Sequence, residues 1–134
     1  MNRAFLCSAI EGLVSQYGYH FELNDKSYYP TAISRYPVAF MTQPEFTSLE
    51  GRQHGRITYT VTLRLAQQGA KLAPAERNKL LDTMEGELME IFVNLSRTDR
   101  VALIDKLSIK PCSESIDAHG AIGIEANACV TTIF

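Results

Sequence analysis

The sequence predicts an α+β fold, a mainly antiparallel sheet of about five strands with two helices packed on one face. Three observations carry this expectation. Residues 2–17 and 75–95 each repeat apolar side chains at three- and four-residue spacing, as an amphipathic helix with one buried stripe does. Residues 57–65 alternate apolar and polar side chains and are rich in β-branched and aromatic types, as a strand with one buried face is. The order helix, strand, strand, strand, helix, strand, strand leaves most strands adjacent in sequence, which favours antiparallel pairing and puts both helices on one side.

The elements follow in chain order. In the first helix Leu6, Ile10, Leu13, Val14 and Tyr17 form the stripe, and Gly18 stands where a helix ends in a left-handed residue. Tyr19 to Leu23 alternates and reads as a strand closed by Asn24 and Asp25. Residues 26–36 have no period and read as a long connection. Val38 to Thr42 reads as a second strand, which Pro44 limits to an edge or an early stop. Residues 43–56 are polar, with Gly51 and Gly55, and read as a long hairpin loop with room for its strands to continue part of the way out.

Ile57 to Leu65 is the clearest strand. Pro74 suits the first turn of the second helix, whose stripe is Leu81, Met84, Leu88, Ile91, Phe92 and Leu95, with Glu85, Glu87 and Glu90 on the wet side. Between 101 and 110, Val101, Leu103, Leu107 and Ile109 alternate, but Asp105 falls on their face. A bulge, or a helical turn at 99–104 before the strand, each accounts for that. Residues 112–120 are a polar loop, and Ile122 to Val130 alternates into a last long strand.

The chain has 134 residues, with 13 Lys+Arg against 15 Asp+Glu and a formal net charge of -2. Nothing divides it, so residues 1–134 are expected to form a single domain, within the ~100–150 residues common for one. With 46% hydrophobic and 21% charged residues it can build a core, which excludes disordered and collagen-like classes. It has no basic excess of the kind that non-specific nucleic-acid binding requires. Three cysteines, Cys7, Cys112 and Cys129, are too sparse for a disulfide framework and read as reduced thiols. No run reaches the ~18–20 apolar residues of a membrane span, and Glu11 and Gly12 interrupt the N-terminal apolar stretch. The expectation is a protein with no membrane partner, cytoplasmic or built into a particle assembled there.

No catalytic motif stands out. Cys112, His119 and Cys129 are soft ligands, but Cys-x6-His without a Cys-x2-Cys pair is not zinc-site spacing, so no metal or other cofactor is expected. Cys112 or Ser113 beside His119 lacks the context of an activated nucleophile. Asp82, Glu85, Glu87 and Glu90 fit the solvated face of a helix better than an acid–base pair. The tyrosines of the first third have only Lys26 and Arg35 among them and form no nucleic-acid groove.

The less ordinary feature is the second face of the sheet. If Ile57 to Leu65 faces the helices, then Thr58, Thr60, Thr62 and Arg64 face outward, joined by Glu125, Asn127 and Thr131 of the last strand. A Thr-rich, weakly charged open face suits a neighbouring subunit, and Arg52, His54 and Arg56 of the adjoining loop extend the candidate interface.

The element order, the length, the polar hairpin loop before Ile57 to Leu65 and the strand pair after the second helix resemble the tail-terminator and tail-completion proteins of long-tailed bacteriophages. That resemblance implies a structural protein without enzymatic activity, which assembles as a homo-oligomeric ring and meets other tail or head-completion proteins. It also implies a loop lining the ring channel, a role that suits Gln53 and its charged neighbours. The alternatives are a small-ligand-binding or enzymatic α+β domain with a pocket near the Cys112–His119 loop, and an adaptor that binds a partner through a strand edge.

Overall fold

A computed structural model describes residues 2–24, 36–51, 55–69, 72–112 and 121–134. Two helices, α1 (Asn2–Gln16) and α2 (Pro74–Ser96), accompany strands β1 (His20–Asn24), β2 (Val38–Thr42), β3 (Glu45–Glu50), β4 (Arg56–Gln67), β5 (Val101–Pro111) and β6 (Ile122–Ile133). The strands form one sheet in the order β1-β2-β4-β6-β5, with β3 also paired to β4. All pairings are antiparallel except β1 with β2. The expected α+β architecture is therefore present, with a sixth strand inside the stretch read as a loop.

That strand exists because β4 is long. Its second half, Leu63 to Ala66, pairs with β2, and its first half, Arg56 to Thr60, pairs with β3. Met41 lies opposite Leu63 and Glu45 opposite Thr60, so four steps on one side match three on the other. The extra residue falls at Gln43–Pro44, where proline cannot donate to the ladder. Pro44 thus ends β2 early, but β2 is not an edge, since β1 covers its other side.

Both helices lie on one face. Leu6, Ile10 and Val14 of α1 and Met84, Leu88, Ile91 and Leu95 of α2 are fully buried with Val61, Leu63 and Leu65 of β4 and with Ile124, Ala126 and Val130 of β6. α1 stops at Gly18 (φ 84), whose N–H donates to the Ser15 carbonyl at 3.0 Å. Pro74 opens α2. The start of α1 is tied to the far end of the sheet. Buried Asn2 donates from Nδ2 to Thr132 Oγ1 (2.9 Å) and accepts at Oδ1 from Arg100 (2.6 Å). The Arg100 guanidinium also sits 4.4 Å over the Phe5 ring.

In β5 the misplaced Asp105 comes from two irregularities. The register against β6 shifts between Val101 and Leu103 and again between Asp105 and Ser108, and Lys106 adopts φ 55 with its N–H donating to Asp105 Oδ1 at 2.8 Å. No helix among the described residues is long and apolar enough to cross a membrane.

Candidate subunit interface

Alternation along β4 sends Tyr59, Val61, Leu63 and Leu65 to the helices, so Thr58, Thr60, Thr62 and Arg64 share the outer face. The register with β6 then builds cross-strand rows: Thr58 with Thr131, Thr60 with Cys129, Thr62 with Asn127, and Arg64 with Glu125. Side chains bond across the strands within the rows of Thr58, Thr62 and Arg64. The Thr58 and Thr131 hydroxyls lie 2.9 Å apart, Thr62 donates to Asn127 Oδ1 at 2.7 Å, and Arg64 Nε donates to Glu125 Oε1 at 2.6 Å. Asn127 Nδ2 donates to the second Glu125 oxygen at 3.0 Å, and Lys110 of β5 approaches it at 3.6 Å. On the β3 side the Thr60 and Thr47 hydroxyls lie 3.1 Å apart.

Electrostatics settle the charge of this face. Burial alone would raise the Glu125 carboxyl, but the hydrogen bonds from Arg64 and Asn127 and the charges of Arg64 and Lys110 outweigh it and hold the group below its ordinary range. The ladder is thus ionised at its centre and internally paired. Among the described residues every buried side-chain nitrogen and oxygen has a hydrogen-bond partner.

The face is less open than alternation implies. At the β2 end Val38, Phe40 and Ala66 are buried on the outer side, with Tyr36, Cys112 and Ala121 packed against them. A second, smaller apolar cluster therefore covers part of the sheet opposite the helices. The signal for it was the unbroken apolar run Val38-Ala39-Phe40-Met41, since a strand covered on both faces has no polar alternation.

The expected interface residues fall into two groups. Thr58, Thr60, Thr62 and Arg64 form one half-buried column, and Arg56 continues it, exposed, at the end opposite Ile133. Arg52 and His54 lie outside the described residues, as do Ser113 and His119 of the alternative pocket. The cleft that is described lies elsewhere, between the end of α1 and β1. It encloses about 430 Å³ and is lined by Glu11, Ser15, His20 and Tyr36 among others. Ser15 Oγ there is taken up by the Glu11 carbonyl at 2.7 Å.

One of the sequence's acidic residues leaves the wet side of α2, and another stays there. Tyr19 is buried and donates to Glu87 Oε1 at 3.0 Å while accepting from Gln67 at 2.9 Å, so Glu87 is half-buried rather than on the wet side. Tyr17 donates to Glu90 beside it. Burial raises both the Tyr19 hydroxyl and the Glu87 carboxyl.

Exposed apolar side chains lie on α2 (Met89, Val93), on β1 (Leu23), at the end of β6 (Ile133, Phe134) and, most exposed of those on the sheet, on its edge strands β3 and β5. Every residue of β3 is exposed, Phe46 at 62% and Leu49 at 55%. Phe46 lies opposite Tyr59, edge to face at 6.4 Å, and Leu49 lies opposite Ile57, so both project on the helix side beyond the main core. At the other edge Leu103 of β5 is 54% exposed and lies opposite Thr131 on the outer side, and Leu107 stands exposed in the bulge. Alternation places Leu103 and Leu107 on one face with Val101 and Ile109, which the register shifts of β5 undo, and it does not pick out Phe46 or Leu49. A comparison of the chain with protein-family models and with curated proteins found no match.

Proposed function

We propose that this chain is a structural subunit that joins copies of itself into a closed ring, as tail-terminator and tail-completion proteins do at the end of a phage or prophage tail. The observation that supports this reading is the pair of exposed, apolar-studded edges, β3 and β5, on opposite sides of one sheet. A molecule with two different sticky edges associates head to tail, and such contacts close into rings when the rotation between copies closes. The hydrogen-bonded ladder between the edges holds them in fixed relation. The role is non-enzymatic, with copies of the chain and other tail or head-completion proteins as partners, and its place is the assembled virion or the host cytoplasm. Arg56, with Arg52 and His54 beside it in sequence, is the candidate channel lining.

Electron microscopy of the protein concentrated to about millimolar tests the reading, because closed rings of uniform diameter are expected. Arg52→Glu with Arg56→Glu brings like charges together from every subunit and should impair ring formation while leaving the far-UV circular dichroism unchanged. A protein that stays monomeric at that concentration contradicts the reading.

A further inference from the structure

The free edge of β1 differs from the other edges of the sheet, because a helix and a cleft stand beside it. β1 is the last strand in the order and pairs only with β2, in parallel. The His20 N–H donates to the Pro37 carbonyl at 2.9 Å, so the backbone groups of His20 and Glu22 face β2. Alternation turns those of Phe21 and Leu23 to the open side, where no strand pairs among the described residues. Phe21 and Leu23 lie opposite Ala39 and Met41 of the core, so both side chains belong to the helix face, Phe21 packed against the core and Leu23 exposed. On α1, Glu11 and Ser15 stand one turn apart and line the cleft of about 430 Å³ with Tyr19, Phe21 and Tyr36. The cleft is acidic. Glu11 has no ion-pair partner among the described residues, and no Lys or Arg among them lines the cleft. The last turn of α1 holds no basic residue, so the negative end of its dipole is uncompensated there. His20, the one other titrating cation on the rim, already has Glu22 at 3.4 Å.

We propose that this edge and cleft form a docking groove for an extended segment of a partner protein that carries an arginine or lysine with an apolar side chain two residues away. The proposal does not depend on the ring reading. A strand added to β1 takes its backbone hydrogen bonds from Phe21 and Leu23. Residues directly opposite one another in a strand pair share a face, so the residue opposite Phe21 points to the helix face and into the cleft beside Glu11. A basic side chain there meets the Glu11 carboxylate and the C-terminal end of α1, while its methylenes lie against Phe21. The residue opposite Leu23, two along the segment, covers the exposed Leu23 with an apolar side chain. An acidic residue opposite Phe21 is repelled by the same carboxylate, so the groove selects by charge as well as by backbone pairing.

A fluorescein-labelled peptide, Thr-Val-Thr-Arg-Thr-Val-Thr-amide, tests the groove, since it presents arginine with valine two residues away in either direction. In fluorescence anisotropy it should bind the dilute full chain, and in amide hydrogen exchange it should slow the Phe21 and Leu23 amides. The same peptide with glutamate in place of arginine should bind about tenfold more weakly. Glu11 is exposed, so Glu11→Lys should keep the fold, checked by circular dichroism, and reverse that preference. Failure of the arginine peptide to bind, binding without slowing of those two amides, equal binding of both peptides, or a preference that Glu11→Lys leaves unchanged overturns the proposal. So does protection of the Phe21 and Leu23 amides without peptide, because the edge is then already covered, by the chain itself in dilute protein or by a second copy in concentrated protein.

Discussion

Glu125 sits at the crossing of the outer-face ladder, where Arg64, Asn127 and Lys110 all meet its carboxylate. Its folded pKa is depressed, so its contribution to stability is present above the unfolded value near 4.5 and is lost as pH falls below it. Glu87 behaves in the opposite sense. Burial raises its pKa, so its contribution is present below about 4.5 and is lost as pH rises through the folded value. Urea unfolding at pH 3 and pH 7 checks both. Glu125→Gln should flatten the acid loss of stability, whereas Glu87→Gln should gain on the wild type at pH 7 more than at pH 3. Alternation alone places Arg64 and Glu125 on one face. Their pairing was not legible, because it depends on the β4–β6 register. Glu87 escaped for a related reason: it borders the α2 stripe, where Tyr19 of another segment reaches it.

At the scale of elements, the two faces of β4 predict unequal responses to truncation. Leu63 and Leu88 are fully buried in the shared core, so Leu63→Ala and Leu88→Ala should each cost ~2–5 kcal/mol. Thr60→Ala removes only a hydroxyl contact to Thr47 and should cost much less. Equal unfolding midpoints for the three variants would contradict the assignment of faces. Gly86 lies in the interior of α2, and a methyl group there would meet nothing within 4 Å. Gly86→Ala should therefore stabilise by about 0.5–1 kcal/mol, read as a higher urea midpoint.

Both helices and the strands around 19–23, 38–42, 57–65 and 122–130 were legible, because their periods are unbroken. β3 was not, because Glu45-Phe46-Thr47-Ser48-Leu49-Glu50 is bulged and wholly exposed, so no buried face imposes alternation. Gly55 marks the other end of that hairpin. A Cβ there would collide with the Phe134 ring and the Glu50 carbonyl, so the close approach requires glycine.

For the whole molecule, the sheet is the organising object. Its helix face holds the core, its outer face holds the paired ladder and the Val38–Phe40–Ala66 cluster, and its most exposed apolar side chains, Phe46, Leu49 and Leu103, stand on β3 and β5. The sequence pointed to a partner surface on the outer face through Thr58, Thr60, Thr62 and Arg64. The structure satisfies those residues internally and moves attention to the edges, which depend on strand order rather than on side-chain pattern. Amide hydrogen exchange, followed strand by strand in dilute and in millimolar protein, tests self-assembly through those edges most directly. Assembly through the edges predicts that the amides of β3 and β5 slow on concentration while those of α1 and α2 do not change. Identical exchange at both concentrations, or slowing confined to the helices, would contradict it.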